Sequence, residues 1–218
     1  MPAPDNDTCL ACHGDPAAKS EAGRPIGLDD KALGASVHGA LGLKCVDCHQ
    51  DLAKTQEFPH PERLAKVSCA ACHDTAVAAY DRSIHARARR QDAASVAATC
   101  VDCHTTHAIR PAKDPESKTY PLNLPSTCGR CHGDPRVIQQ GHIRIGNVLD
   151  LYRDSIHGKA VSKSGLVVAA NCTSCHGSHD VRPRSDPESR VSRANLPTVC
   201  GACHEGIKTQ YDMGVHGQ

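Results

Sequence analysis

Residues 172–176 read Cys172-Thr173-Ser174-Cys175-His176, one of seven copies of Cys-x-x-Cys-His in this chain of 218 residues. Residues i, i+3 and i+4 lie on one face of a helix, so both thiols and the imidazole point the same way. This spacing is the covalent attachment motif of c-type haem, in which two thioether bonds hold the porphyrin edge and the histidine binds the iron. The chain is therefore predicted to carry seven haem c groups.

We number the predicted sites 1 to 7 in chain order. The predicted thioether residues are Cys9 and Cys12, Cys45 and Cys48, Cys69 and Cys72, Cys100 and Cys103, Cys128 and Cys131, Cys172 and Cys175, and Cys200 and Cys203. The predicted proximal iron ligands are His13, His49, His73, His104, His132, His176 and His204. These motifs use all fourteen cysteines. A disulfide framework does not require a histidine after every second cysteine, and a closed zinc site does not require it at that one offset, so haem is the favoured interpretation.

The composition agrees with a core made of cofactors. The chain has no Trp, one Phe and four Tyr, with 17 Gly and 14 Pro. At roughly 31 residues per haem, the porphyrins are expected to form most of the apolar core. We predict a mainly α fold with much irregular coil, in which short helices and loops surround a stacked chain of haems, and almost no sheet. Longer helices are expected over residues 70–84 and 137–155.

Charge and hydropathy limit the functional classes. The formal net charge is +1, and basic stretches such as Arg87–Arg90 are predicted to lie in solvent or pair with haem propionates rather than bind nucleic acid. No apolar run is long enough to span a bilayer, so no transmembrane segment is predicted. No secretory signal is present, yet covalent haem attachment normally takes place outside the bacterial cytoplasm. We therefore expect a periplasmic or extracellular protein whose signal peptide has been removed.

The chain repeats itself at an offset of 72 residues. Residues 80–132 align with 152–204 without a gap, and each copy contains two motifs. We predict one continuous haem-cored array. Its predicted parts are a single-haem half unit (unit 1, residues 1–35), a diverged two-haem unit (unit 2, 36–82), a two-haem unit with an insertion around 133–151 (unit 3, 83–154), and a two-haem unit with a distal-ligand tail (unit 4, 155–218).

Eight histidines lie outside the motifs and are candidates for the second axial position of the irons: His38, His60, His85, His107, His142, His157, His179 and His216. Four of them share a (Ser/Gly)-(Val/Ile)-His-(Gly/Ala) context. Two others, His107 and His179, lie three residues after a proximal histidine. Each therefore stands on the same side of that iron and is expected to bind a different haem. His142 lies in the insertion, and whether it binds iron is left undecided.

The ligand type predicts the redox potential. Methionine is the other common distal ligand of c-type haem and raises the potential. The only methionines are Met1 and Met213, and Met213 competes with the nearby His216 for this role. Histidine is the expected ligand, so we predict a low-potential protein.

With these motifs identified, the chain resembles the multihaem c-type cytochromes with doubled CxxCH motifs. The resemblance is carried by Ser155-Ile156-His157-Gly158, Cys172–Asp180 and Asn195–His204. It implies proximal roles for the seven motif histidines and distal roles for His38, His60, His85, His107, His157, His179 and His216. It also implies an electron carrier in a periplasmic respiratory chain, a redox module of a membrane complex, or a subunit of an extracellular cytochrome filament.

Electron transfer without substrate turnover is the leading hypothesis, because a six-coordinate iron has no place for a substrate. The rival is a multihaem reductase or oxidase of a small nitrogen or sulfur compound, which needs one iron with a single protein ligand. The expected partners are other redox proteins or further copies of the same chain. His216 is a candidate ligand for a haem of the next subunit, which would give a head-to-tail filament. A third hypothesis is docking on a membrane quinone-oxidising complex.

Overall fold

The computed structural model describes residues 2–217 and confirms the predicted fold class. Within these residues the secondary structure is helix and coil, and the only bridge is an isolated one between Lys19 and Pro25. The α-helices are α1 (Asn6–His13), α2 (Asp30–Gly34), α3 (Val37–Ala40), α4 (Cys45–Cys48), α5 (Asp74–Asp81), α6 (Ile84–Gln91), α7 (Cys100–His104), α8 (Leu124–His132), α9 (Pro135–Gln140), α10 (Val148–Asp154), α11 (Ile156–Ser162), α12 (Cys172–His176), α13 (Leu196–Gly201) and α14 (Glu205–Met213). Two 3₁₀ helices span Gln50–Leu52 and Cys69–Ala71.

Both long helices expected from the sequence are interrupted. The first is divided into a 3₁₀ turn, α5 and the start of α6. The break before α6 has a local cause, because the Ser83 hydroxyl accepts a hydrogen bond from the N–H of Ala86 at 3.1 Å and so begins a new helix. The second is divided into α9 and α10, with residues 141–147 outside both helices. His142 in this gap has φ of 49°, which ends a right-handed helix.

Aspartate side chains cap the start of two of the helices that carry the motifs. The Asp47 carboxylate accepts a hydrogen bond from the N–H of Lys44 at 2.7 Å, and the Asp102 carboxylate accepts one from the N–H of Thr99 at 2.7 Å. In both cases the aspartate is the third residue of a Cys-Val-Asp-Cys helix. Because a side chain satisfies one of the donors at the helix start, a helix of only four or five residues can form there.

The loop before the second motif is held in the same way in the two aligned repeats, residues 80–132 and 152–204. The side-chain amide of Asn123 donates to the carbonyls of Pro115 and Ser117, at 2.8 Å each. Asn195 makes the matching pair of bonds at 2.9 Å each. The Asp-Pro-Glu-Ser turn is thereby fixed against the start of α8 and α13, which present the second motif.

The side chains alone form very little core. Among residues 2–217 the buried apolar residues are Val46, Ala86 and Val161, while many large apolar side chains stay exposed. A domain of this length normally buries about 70% of the surface of its unfolded chain. The small protein core is what we expect if the porphyrins supply the apolar interior.

Candidate haem sites

The cysteines lie on short helical turns, as the motif spacing predicts. Nine of the fourteen cysteines are partly buried and five are exposed. Thiols of successive motifs are neighbours along the whole chain. At three of the steps the first cysteines of the two motifs lie next to each other, namely Cys9 with Cys45, Cys69 with Cys100, and Cys128 with Cys172. At the other three steps the second cysteine approaches the next motif, namely Cys48 with Cys69 and Cys72, Cys103 with Cys131, and Cys175 with Cys200 and Cys203.

The sites are thus arranged in space in their order along the chain, with two kinds of step in alternation. This spatial order could not be predicted from the sequence alone.

Burial also affects the pKa of these thiols. It raises the pKa of Cys45 to about 11, and the adjacent Cys9 thiol adds to the increase. Burial and the thiol of Cys69 raise the pKa of Cys100 in the same way.

Six of the seven motif histidines lie opposite another histidine. The paired rings, with the distances between their centres, are His13 and His60 (5.9 Å), His38 and His73 (6.0 Å), His49 and His107 (6.3 Å), His85 and His132 (6.2 Å), His104 and His179 (6.0 Å), and His157 and His204 (5.9 Å). Each pair joins one predicted proximal ligand to one predicted distal ligand.

The spacing fits one metal ion between two imidazoles. A metal–nitrogen bond of about 2 Å on each side, with roughly 1 Å from each nitrogen to its ring centre, places the ring centres about 6 Å apart. All six measured separations lie within 0.3 Å of 6.0 Å. The donor sets therefore fit a haem iron that has one imidazole on each face.

At site 1, hydrogen bonds orient both imidazoles. Nδ1 of His13 lies 2.8 Å from the carbonyl of Ile26, and Nδ1 of His60 lies 2.9 Å from the carbonyl of Pro61. A carbonyl can only accept, so each Nδ1 carries the proton. Nε2 of each ring then keeps its lone pair for a metal.

Burial favours the neutral form of several of these rings. Desolvation is the first cause in every case, and a neighbouring imidazole adds to it at His85, His104, His107 and His132. The histidines whose pKa is lowered are His85, His104, His107, His132 and His176. A metal binds the neutral imidazole, so burial of these rings favours the form that coordinates iron.

The crossed arrangement expected for His107 and His179 is observed. His107 pairs with His49 of the preceding unit rather than with His104 three residues before it, and His179 pairs with His104. A sharp turn after the motif helix makes this possible. Thr105 has φ of 68° and ψ of −173°, and Gly177 at the matching position has φ of 79° and ψ of −179°.

Histidines in the Ser-(Val/Ile)-His context lie opposite the histidine of the second motif in their own unit. His38, His85 and His157 pair with His73, His132 and His204, respectively. Tyr80 and Tyr152 support this arrangement in the two long repeats. Their hydroxyls donate to the carbonyls of Ala98 and Ala170, at 2.8 Å and 3.0 Å, just before the first motif. This role was not predicted from the sequence, although both tyrosines open the aligned repeats.

Three predicted ligands have no such partner. Within residues 2–217, no imidazole is paired with His176, His142 or His216. His142 and His216 are exposed to solvent. The structure therefore places six of the seven motif histidines opposite a candidate distal histidine, and within residues 2–217 it brings no second histidine to site 6.

The described residues contain neither a further metal cluster nor a membrane-spanning helix. Residues 2–217 contain no group of three or more His, Cys, Asp or Glu side chains placed to hold a metal ion. A closed zinc site needs four such ligands. No helix in the described range is both long and apolar enough to cross a membrane.

Comparison with known proteins agrees with this geometry. Residues 37–133 match the cytochrome c3 family. This range contains sites 2 to 5. The high-molecular-weight cytochrome c of Nitratidesulfovibrio vulgaris strain Hildenborough is 26% identical over 221 residues, in an alignment that covers 94% of this chain. The chain spans only 30% of the length of that relative. No solved structure matches the chain. These findings support haem c as the cofactor and electron transfer by a multihaem c-type cytochrome as the role.

Proposed function

We propose that this chain conducts electrons through seven covalently attached haem c groups, six of which have two histidine ligands. The observation that carries the proposal is the set of six histidine pairs at ring separations of 5.9–6.3 Å, each containing a Cys-x-x-Cys-His histidine. When bound, each haem iron supplies a one-electron Fe(III)/Fe(II) couple. The cysteines hold the porphyrins in place, and the paired imidazoles fix the irons.

The arrangement of the motifs supports a continuous conductor. Each motif neighbours the next, from Cys9 and Cys45 at one end to Cys175 and Cys200 at the other. Crossed histidines reinforce this, because a segment that holds one site also supplies a ring to the preceding unit. The proposed division is a half unit (1–35) and three two-haem units (36–82, 83–154 and 155–218).

A low redox potential is part of the proposal. Two imidazoles stabilise ferric iron more than a histidine and a methionine do. Met213 is exposed, with 62% of its surface accessible, and the paired sites already have a second imidazole. We propose a periplasmic or extracellular location and redox proteins as partners, including a membrane quinone-linked complex.

A direct test counts the haems and their spin states. The pyridine haemochrome of the purified protein should give seven haem c per chain, and a redox titration should place most of them well below zero. Replacing both cysteines of site 1, Cys9→Ala with Cys12→Ala, should remove one haem and leave six. A count clearly below seven in the parent protein, or mainly high-spin iron, would contradict the proposal.

A second function is favoured by one observation. His176 at site 6 has no paired imidazole within the described residues, and a multihaem reductase or oxidase needs one such iron. The candidate substrates are small nitrogen or sulfur compounds. Steady-state turnover of nitrite, hydroxylamine and sulfite with a reduced dye as donor tests this function, and loss of turnover in a Cys172→Ala/Cys175→Ala variant is the expected control result.

The head-to-tail filament stays a prediction. His216 lies exposed in the turn after α14, a helix that packs against α13 near site 7. Negative-stain microscopy at high protein concentration should show filaments that a His216→Ala variant does not form. Monomers alone at every concentration would count against it.

A further inference from the structure

Units 2 and 3 each use the same two contacts to hold the unit that follows. In unit 2 the main-chain N–H of Val37 donates to the carbonyl of Ile109 at 2.8 Å. In unit 3 the N–H of Ile84 donates to the carbonyl of Val181 at 2.8 Å. Each acceptor lies two residues after a crossing histidine. One short His-x-(Ile/Val) segment therefore delivers an imidazole to the first site of the preceding unit and a carbonyl to the helix beside it.

The His-x-(Ile/Val) segments bury the residues of units 2 and 3 against which they pack. Ser36 and Ser83, which precede the donor residues, are both fully buried. Their counterpart in unit 4, Ser155, is only half-buried. Ile84 has 38% of its surface exposed, whereas Ile156 at the matching position has 78% exposed. The surface that units 2 and 3 use to hold a neighbour is therefore uncovered in unit 4.

Unit 3 also makes a charged contact with the unit that follows it. Arg87 of unit 3 pairs with Asp186 of the following unit, at 3.4 Å. The residue at the position of Arg87 in unit 4 is Lys159, which has conserved the positive charge between the two repeats. Lys159 is exposed, and no carboxylate within residues 2–217 forms a salt bridge with it.

Site 6 also lacks a contact that its equivalents in units 2 and 3 have, namely an imidazole from the following unit. It is the first site of unit 4, so its equivalents are sites 2 and 4, whose histidines His49 and His104 each receive a ring from the following unit. His176 receives no ring from the described residues. The unpaired imidazole and the exposed Ile156 of unit 4 thus correspond to contacts that units 2 and 3 both complete, and the unpaired Lys159 corresponds to a contact that unit 3 alone makes, since unit 2 has Ala40 at this position.

We infer that this face of unit 4 (residues 155–159 with His176) binds a His-x-(Ile/Val) segment, followed by an acidic residue, from a further doubled-motif cytochrome unit that is not one of units 1 to 4. The imidazole of that segment provides the second axial ligand at site 6. The inference rests on the proposed function, because it requires haem at that site. The two residues that link the imidazole to the carbonyl span at most about 7 Å, so one short segment reaches both points.

The spare histidines of this chain do not match the required segment. The residue two positions after His142 is Arg144, and His216 is followed by Gly217 and a glutamine. The segments that do match begin at His107 and His179, and both are paired within the chain. A second copy of units 1 to 4 is thus a poorer fit to the face than a further doubled-motif unit with a free segment of this kind.

The first experiment measures the spin state of site 6 in dilute, fully loaded protein. One ferric haem in seven should be high-spin by electron paramagnetic resonance, and free imidazole should convert it to low-spin. A Cys172→Ala/Cys175→Ala variant should lose this signal and keep six low-spin haems, which assigns it to site 6. If the parent protein has seven low-spin haems when dilute, the inference is wrong while the proposed function stands. A count below seven or mainly high-spin iron contradicts the proposed function itself.

The second experiment uses a peptide copied from residues 177–186, which contains His179, Val181 and Asp186. Because a carbonyl and an apolar contact add to the iron–imidazole bond, the peptide should convert site 6 at a concentration about tenfold lower than free imidazole. The same peptide with alanine in place of its histidine should have no effect. Equal potency of peptide and free imidazole would overturn the inference.

Surface variants show whether the peptide lies on the proposed face. Ile156→Asp should remove the advantage of the peptide over free imidazole, and Lys159→Glu should lower peptide affinity about threefold. Leu41→Asp is the matched control, because Leu41 is also exposed, at 75%, but follows the corresponding helix of unit 2. A high-spin signal that disappears as protein concentration rises, and returns in His216→Ala, would assign the ligand to a second copy and overturn the inference.

Discussion

Thr105→Gly should stabilise the protein, because Thr105 holds a backbone conformation that suits glycine. Its φ of 68° and ψ of −173° lie in a region that residues with a side chain rarely adopt. The equivalent residue in the next repeat is Gly177, with almost the same angles. The Thr105 hydroxyl is also buried without a hydrogen-bond partner within the described residues. One substitution relieves both defects.

The magnitude follows from three contributions. Strain in this region costs about 1–3 kcal/mol. A buried hydroxyl without a partner costs about 1 kcal/mol or more. The added freedom of glycine in the unfolded chain offsets about 0.5–1 kcal/mol of the gain. The net expectation for Thr105→Gly is a gain of about 2 kcal/mol, which raises the melting temperature by roughly 4–8 °C in a chain of this length.

Thermal unfolding of the fully loaded protein, followed by circular dichroism in the haem absorption band, measures the gain. Thr105→Ala separates the contributions, because it removes the hydroxyl but keeps the strained backbone, and should gain about half as much. Gly177→Thr is the reverse control and should lose about 1–3 kcal/mol. Its new Cβ would lie 3.1 Å from the Asp180 carboxylate and 3.3 Å from the Arg190 side chain. A Thr105→Gly protein no more stable than the parent would refute the reasoning.

Three further predictions concern the paired histidines and the haem-filled core. His179→Ala should convert site 4 from low-spin to high-spin, because the iron beside His104 loses its second imidazole, and external imidazole should restore the low-spin spectrum. The rings of His85 and His132 are inclined at 71°, so site 5 should give the most anisotropic low-spin resonance, and a His85→Ala variant that keeps this signal would disprove the assignment. Protein prepared without haem should lack a compact fold, because so little apolar surface is buried by side chains alone; a dispersed amide spectrum from the apoprotein would show otherwise.

The fold class and the set of candidate ligand histidines could be predicted from the sequence. The motif spacing fixes where two thiols and an imidazole face together. The offset of His107 from its own motif excluded the nearest iron and indicated a crossed partner, which the 6.3 Å distance to His49 matches. Local rules were sufficient for the attachment motifs because the two cysteines and the histidine of each motif are close in the chain.

The partner of each distal histidine could not be read from the sequence. His60 pairs with His13, 47 positions earlier, although it lies between two other motifs. This choice depends on how loops pack around the haems rather than on local spacing. The same limit applies to the expected helix over 137–155, which the structure breaks around His142. The hydrophobic pattern predicted a helix, but it did not show where the chain turns.

The crossed ligands make each repeat dependent on its neighbour. Unit 3 gives His107 to unit 2 and receives His179 from unit 4, so it cannot complete its own two sites alone. In a repeat protein, stability is the sum of terms within units and terms at their interfaces, and here each interface includes an iron ligand. Loss of one crossing imidazole therefore weakens two units at once. The same reasoning explains why the unpaired His176 and the exposed Ile156 occur together, since both belong to an interface that needs a further unit.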